Sequence, residues 1–375
     1  MDLELSDEQV WVEESVNTLL DRQWPPAETA WQAGEAERAR LWESLVEFGL
    51  LGGSADGQLG AIELCLVARA VGDHLASVPL LGSVGVRYAL APYVADLPDG
   101  CGPSFTGDSR VSVALLEPGG GWATSDTSAT VSSNQLAGTK AAVEHATDVD
   151  HLAVVALADG GPPGLALVAS GSPGIEVTPQ PGVDVGVPLS RLKFVDVAVE
   201  ALLEGELGAA VIDRLITVGG LLAAAEAVGA AGRIFAEARR YASERRQFGR
   251  TIGSNQALRH LLADLHVKQA SGWSTTLYAA AALDDGVPGA RQAASVAKAY
   301  VSRAAREVAH GSIQVFGGIA FTEEHPAHRF LRRIIVREQQ FGDAAHHERE
   351  LGRILAEGAE QPGQPVDPKI TATAR

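Results

Sequence analysis

At 375 residues and 39.1 kDa the chain is long enough for two or three domains with a sizeable core. Hydrophobic residues make up 46% and charged residues 21%, a globular composition that excludes a wholly disordered or fibrous chain. Thirty Lys and Arg against 47 Asp and Glu leave a net charge of −17, which repels phosphate backbones and anionic lipid and argues against general nucleic-acid or membrane-surface binding. A local basic patch for one anionic ligand remains compatible with that balance.

The two cysteines, Cys65 and Cys101, lack the spacing of a redox or zinc motif and are expected to be inert packing residues in a reducing compartment. The N-terminal MDLELSDEQVW is acidic and lacks the basic and apolar regions of a signal peptide. The Ala-rich run 221–231 is short for a membrane span and contains Glu226, so a cytoplasmic protein is expected.

Residues 1–103 read as a helical domain. Ser6 and Gln9 form a potential capping box before Val10, Val12, Val16, Leu19 and Leu20, which fall at mostly helical spacings. AERARLWESLVEFGLLGG predicts a second helix that stops at Gly49 and then Gly52-Gly53, and AIELCLVARAVGDHL a third. Over 104–207 the helical period gives way to short Val-rich segments divided by Gly, Pro, Asp and Asn, which predicts an antiparallel β domain of six or more strands. There is no βαβ alternation, and Gly119-Gly120-Gly121 opens no helix and predicts a turn. Four long amphipathic segments at 211–246, 255–284, 290–316 and 326–357 predict a four-helix bundle over 208–357. The Pro-rich remainder, 358–375, is expected to be disordered. The fold class is therefore α+β, with helices, then a sheet, then a bundle.

Charge turns over in the bundle. Between Arg233 and Arg250 stand six arginines and only two acids, Glu237 and Glu244. One reading is a solvated face with i,i+4 ion pairs. The other is a diphosphate pocket, because guanidinium forks match phosphate oxygens bidentately. Phe248, three residues after Arg245 and followed by Gly249, favours the second reading modestly, as a ring able to flank an adenine. Gln314-Val315-Phe316-Gly317-Gly318 ends a helical run with two glycines, which permits either an ordinary helix cap or close backbone approach to a ligand.

Together, ERRQFGRTIGSNQALRHLLADL and, about fifty residues later, QVFGGIAFTEEHPAHRFLRRI resemble the acyl-CoA dehydrogenase family. The resemblance covers nearly the whole chain and implies an N-terminal helical domain, a middle β-barrel and a C-terminal four-helix bundle. It also implies FAD, an acyl-CoA thioester between barrel and bundle, α,β-desaturation of that thioester, and an electron-transferring flavoprotein as acceptor. In the family one subunit's bundle holds the ADP half of its neighbour's FAD. Carried over residue by residue, Arg245 would reach the pyrophosphate, Phe248 the adenine or ribose, Gln256 the cofactor's vicinity, and Gln314, Gly317 and Gly318 would receive the ADP portion.

The catalytic half departs from the pattern. A carboxylate must remove the thioester α-proton. The usual position, 27 residues after Gln314, is Phe341, and the alternative, 29 residues before Phe248, is Gly219. Beside the isoalloxazine, where the family puts an aromatic and a hydroxyl residue, stand Ala142 and Glu144, and after Glu117-Pro118 the chain runs GGGWATSD. Asp343, Glu338 and Asp213 are the nearest substitute acids, with Asp343 the best placed. His346-His347-Glu348 is not expected to bind metal because adjacent residues on a helix point apart, and His325 and His328 are expected to cap and pack around Pro326. The pattern resembles the base-lacking subunit of actinobacterial heterotetrameric (α2β2) steroid side-chain acyl-CoA dehydrogenases, with small residues Gly219, Gly220 and Ala223 to Ala225 lining a roomy groove. A self-sufficient homotetramer using Asp343 and a non-catalytic structural paralogue are the alternatives.

Overall fold

The computed structural model describes residues 3–51, 59–98, 109–122 and 124–359. Helix α1 (Asp7–Gln23) opens with the capping box: the Ser6 hydroxyl accepts the Gln9 N–H at 3.2 Å, and the Gln9 side chain accepts the Ser6 N–H at 3.0 Å. Two otherwise orphaned donors are thereby satisfied. Its buried face, Val12, Val16 and Leu20, meets α2 (Glu35–Glu47) and α3 (Ala61–Asp73). The chain after α2 turns at Gly49, at φ +99°, whereas Gly52 and Gly53 lie outside the described residues. Cys65 is free and buried on α3, where burial pushes its thiol up; Cys101 and most of the 358–375 segment also lie outside the described residues. A further helix, α4 (Leu80–Leu90), has no counterpart in the sequence reading, because it is apolar and buried all round and so shows no amphipathic period.

Among the described residues eight strands follow: β1 (Val111–Ala114), β2 (Thr130–Ser132), β3 (Gln135–Glu144), β4 (His151–Ala158), β5 (Pro163–Ala169), β6 (Ile175–Gln180), β7 (Leu189–Ala198) and β8 (Ala201–Leu203). They form one sheet in the order β6-β7-β3-β2-β4-β5-β8, with β1 on β4. The expected all-antiparallel domain needs correction: β1 and β2 both pair parallel with β4. The β2–β3 hairpin intervenes in the chain, so β4 is reached by a crossover rather than a tight turn. Among the described residues no pairing joins β6 to β8, so the sheet is open at that seam. The predicted turn forms at Gly119, at φ +74°, with Gly120 N–H bonded to the Glu117 carbonyl at 3.0 Å.

The continuous apolar run of β4 has a simple cause. Leu152, Val154 and Ala156 enter the core of the sheet, whereas Ala153 and Val155 face a second core shared with α4 and the start of the bundle. A strand buried on both faces loses its alternation.

The bundle begins with α5 (Gly205–Glu244), followed by a two-residue hairpin of β9 (Arg246–Gln247) and β10 (Arg250–Thr251), then α6 (Gln256–Asp284), α7 (Ala290–Phe316), α8 (Ala327–Gln339) and α9 (Ala344–Ala359). The fourth predicted segment is thus two helices, not one. It breaks at Phe341 and Gly342, which take φ of +55° and +102°. Glycine is obligatory at 342, since a Cβ there would also sit 2.6 Å from the His346 ring.

By length and composition α5 passes as a membrane-spanning helix, which the run 221–231 alone does not suggest. Yet 61% of its apolar window is buried inside the protein, against α3, α4, α7 and α8. The expected roomy groove is also absent. Gly219, Gly220, Ala223, Ala224 and Ala225 are all buried. Small residues here serve close helix packing: a Cβ on Gly229 would lie 1.9 Å from the Arg69 carbonyl of α3, and one on Gly72 would lie 2.0 Å from that of Glu226.

Candidate functional site: an exposed arginine end and a closed cleft

The residues that the resemblance assigns to FAD fall in two places. At one end of the bundle, the Tyr241 ring on α5 packs against Phe316 on α7 with centroids 5.4 Å apart, and Phe316 packs against His325 at 4.4 Å. This aromatic contact brings the segment ending at Arg245 alongside the Gln314–Gly318 turn. Arg245 and Gln314 are both exposed, and Gly317 takes φ +70°. The hairpin after Arg245 turns through Phe248 and Gly249, at φ +51° and +79°, and Phe248 is 100% exposed. An aromatic residue held in the left-handed region costs about 1 kcal/mol or more and gains no burial within this chain.

The ion-pair reading of this face holds for one arginine. Arg233 bonds Glu237 at 2.7 Å and lies 3.4 Å from Asp73, while Arg239 lies over the Phe235 ring. The guanidinium groups of Arg240, Arg245, Arg246 and Arg250 have no carboxylate partner among the described residues. Gln256 is exposed, and its side chain lies 3.1 Å from His260 Nε2. An open cationic face with free forks and a glycine turn fits a diphosphate.

The other place is the junction of sheet and bundle. Ala142, Glu144 and Phe341 converge, as the resemblance implies, on one cleft lined also by Leu81, Ser112, Leu116, Trp122 and Gln340. Ala142 stands at a register break between β3 and β7, at φ +51°, with its N–H donated to the Gln180 side chain at 2.9 Å. Such a bulge re-aims side chains beside a site. The cleft has a volume of about 40 Å³. A flavin-sized ligand needs roughly 300 Å³ or more. The isoalloxazine therefore does not fit here, whereas the other end leaves exposed guanidinium groups open to an anion.

The two positions where the resemblance expects a base, Phe341 and Gly219, are in contact. A Cβ on Gly219 would lie 2.5 Å from the Phe341 ring, so ring and glycine fill the space together. The Phe341 carbonyl lies 3.1 Å from His347 Nε2, and His347 Nδ1 lies 3.2 Å from Ser295 Oγ; burial lowers this imidazole to about 4. Buried Lys298, lowered by burial to about 7, donates to the carbonyls of Arg337 and Glu338 and closes the end of α8.

None of the substitute acids lines this cleft. The Asp343 carboxylate accepts the His346 N–H at 2.7 Å and so caps α9. Glu338 lies 3.2 Å from Arg306. Asp213 lies 2.8 Å from Arg291 in a separate pocket of about 360 Å³ between β5, α5, α7 and α9, and burial raises its carboxyl. His325 accepts the Ala327 N–H at 3.2 Å and thus caps the start of α8.

What the sequence reading missed is the set of charges sealing the cleft. Glu144 is held by both Arg337 amino groups, at 2.8 and 2.9 Å, and by Gln340 at 2.8 Å. Burial alone would raise the Glu144 carboxyl, but Arg337 and His145 bring it down to about 2. Glu226 and Arg333 extend the set. A signal was present: Glu226 is the lone charge in the Ala-rich apolar run between Arg214 and Arg233, and such a residue is buried only when paired.

The family model for the acyl-CoA dehydrogenase C-terminal domain matches residues 206–355. The acyl-CoA dehydrogenase FadE27 of Mycobacterium tuberculosis is 31% identical over 332 residues, 84% of this chain and 88% of that protein. Among solved structures, the ChsE4-ChsE5 complex from Mycobacterium tuberculosis contains a chain of 28% identity and TM-score 0.83, covering 97% of this chain and 100% of that one. A chain of the Tcur3481-Tcur3483 steroid enzyme follows at 27% and 0.81, covering 95% and 99%. By identity and coverage together, this chain belongs to the acyl-CoA dehydrogenase family of FAD-dependent oxidoreductases.

Proposed function

We propose that the chain is one subunit of a heteromeric acyl-CoA dehydrogenase, supplying the ADP half of the FAD site to a homologous partner that carries flavin and base. The substrate is an acyl-CoA thioester of a steroid side chain, and the assembly an α2β2 tetramer in the cytoplasm. The observation that carries this reading is the contrast within one chain. The Phe341 ring stands where the resemblance expects the base and packs on Gly219, while Arg245 is exposed with no acid partner among the described residues. Two of the similar structures are complexes of two different chains, and one is described as a steroid enzyme.

In this assembly Arg245 binds the partner's pyrophosphate, Phe248 flanks its adenine or ribose, and Gln256, Gln314, Gly317 and Gly318 complete the cradle. When bound, FAD supplies hydride acceptance. The α-proton is taken by a carboxylate of the partner, since the carboxylate at this chain's own cleft, Glu144, is held by Arg337 and Gln340. The use of Asp343 as N-cap of α9 speaks against a displaced base.

The test is to purify the chain alone and together with a co-expressed base-bearing relative, recording flavin absorbance and mass. The expected result is a colourless protein alone and a yellow heteromer with one FAD for every two chains. A yellow, active homotetramer of this chain alone would overturn the proposal.

A further inference from the structure

The charges that seal the cleft form one connected network. Arg333 donates to Asp184 at 2.6 Å, to Glu226 at 3.0 Å, and to the carbonyls of Ala76 and Leu75 at 2.7 and 3.3 Å. Glu226 Oε1 also lies 2.8 Å from Arg337 Nε, and Arg337 holds Glu144 with both amino groups. Next to Glu144, buried His145 lies 3.1 Å from Asp148, which accepts from Arg38 at 2.6 Å. The contributors come from every part of the fold. Arg38 lies on α2, Leu75 and Ala76 follow α3, and Glu144, His145, Asp148 and Asp184 belong to the sheet region. Glu226, Arg333 and Arg337 come from the bundle.

Charges taken out of water are tolerated only when paired and hydrogen-bonded, and losing one partner leaves the other uncompensated. Glu226 is fully buried, Arg333 and Arg337 nearly so, and their carboxylate and carbonyl partners come from elements far apart in sequence. This network stands beside the residues that the resemblance puts against an isoalloxazine, in a cleft too small for one.

We infer that the network Asp184–Arg333–Glu226–Arg337–Glu144 replaces a flavin ring in this chain: it closes the cleft and joins helical domain, sheet and bundle without cofactor. The inference rests on the reading of the chain as a flavin-free subunit, but its test is independent of catalysis.

The experiment uses the full-length chain and compares wild type with Glu144→Gln, Arg337→Met, the double variant and the milder Gln340→Ala. Each charged single variant is expected to lower Tm by roughly 5–10 °C. The double variant should lose clearly less than the sum of the two, because neither charge is then left unpaired. Gln340→Ala should fall between wild type and the charged variants, and it keeps the test readable if a charged variant fails to fold. Added FAD should neither raise the wild-type Tm nor quench Trp122, which lines the cleft. Unchanged Tm in the single variants, or strictly additive losses, would overturn the joining role. A saturable Tm rise and quench with FAD in the wild-type chain, retained in Arg245→Ala, would show that the cleft admits flavin and overturn the closing role. Loss of FAD from the co-expressed complex in Arg245→Ala alone bears on the ADP-site reading and leaves the network untouched.

Discussion

The arginine end of the bundle and the sheet–bundle cleft carry similar residue types under opposite conditions. Arg245, Arg246 and Arg250 are exposed and have no acid partner among the described residues, whereas Arg333 and Arg337 are 1% exposed and bound to three carboxylates. In water a guanidinium needs no partner; inside the protein it requires several. An arginine cluster left open at the surface of an acidic chain is available for an outside anion, and the same chemistry turned inward is spent on the fold.

The comparison breaks first at Arg245. If its fork binds a partner's pyrophosphate, Arg245→Ala removes charge-assisted hydrogen bonds of about 1.5–3 kcal/mol. FAD affinity of the co-expressed complex should then fall about 10–100-fold, as read by flavin titration, with the Tm of the isolated chain unchanged. Equal FAD affinity in wild type and variant would remove Arg245 from the site.

The second prediction concerns acid. Glu144 is held at about 2 against an ordinary 4.5, and Glu117, opposed by burial but lowered by Lys140 and Ser128, is held at about 2 as well. A carboxylate depressed on folding stabilises the protein above its unfolded value, and that contribution is lost as pH falls from about 4.5 to about 2. For Glu144 the loss is about 3 kcal/mol. Urea unfolding at descending pH should show stability falling through this window, and Glu144→Gln should fall less steeply than wild type. Identical slopes would mean that Glu144 is not ion-paired in solution.

How much of this was legible in the sequence follows from the range of each interaction. The Ser6–Gln9 box, the Gly119 turn and the strand segments are local, and they stand where residue chemistry puts them. The arginine face and the Gln314–Gly318 turn were visible because each is a continuous stretch. The network was not, since Glu144 and Arg337 are 193 residues apart and Arg333 and Asp184 are 149 apart. No spacing rule spans such distances. The small residues of α5 misled for a related reason: a glycine marks close approach, but only the partner element tells whether the space is open or filled, and at Gly219 it is filled by Phe341. The break at Phe341 and Gly342 was hidden because an amphipathic pattern continues on both sides of it.

The smallest expected effect falls on Asp343, and it separates a cap from a base. Its carboxylate accepts the His346 N–H at the start of α9, a role that asparagine fills about as well as aspartate. Asp343→Asn should therefore change the Tm by less than about 2 °C and the turnover of the reconstituted complex by less than about twofold. Asp343→Ala should cost about 1 kcal/mol of stability through the lost cap, again with turnover preserved. Catalytic proton transfer does not tolerate asparagine, which has no proton-accepting carboxylate, so a fall in turnover of about a hundredfold or more in Asp343→Asn at unchanged Tm would place a base in this chain after all. The two substitutions make the discrimination sharp because a cap and a base rank them differently: for a cap, asparagine is harmless and alanine is not, whereas for a base both are equally disabling.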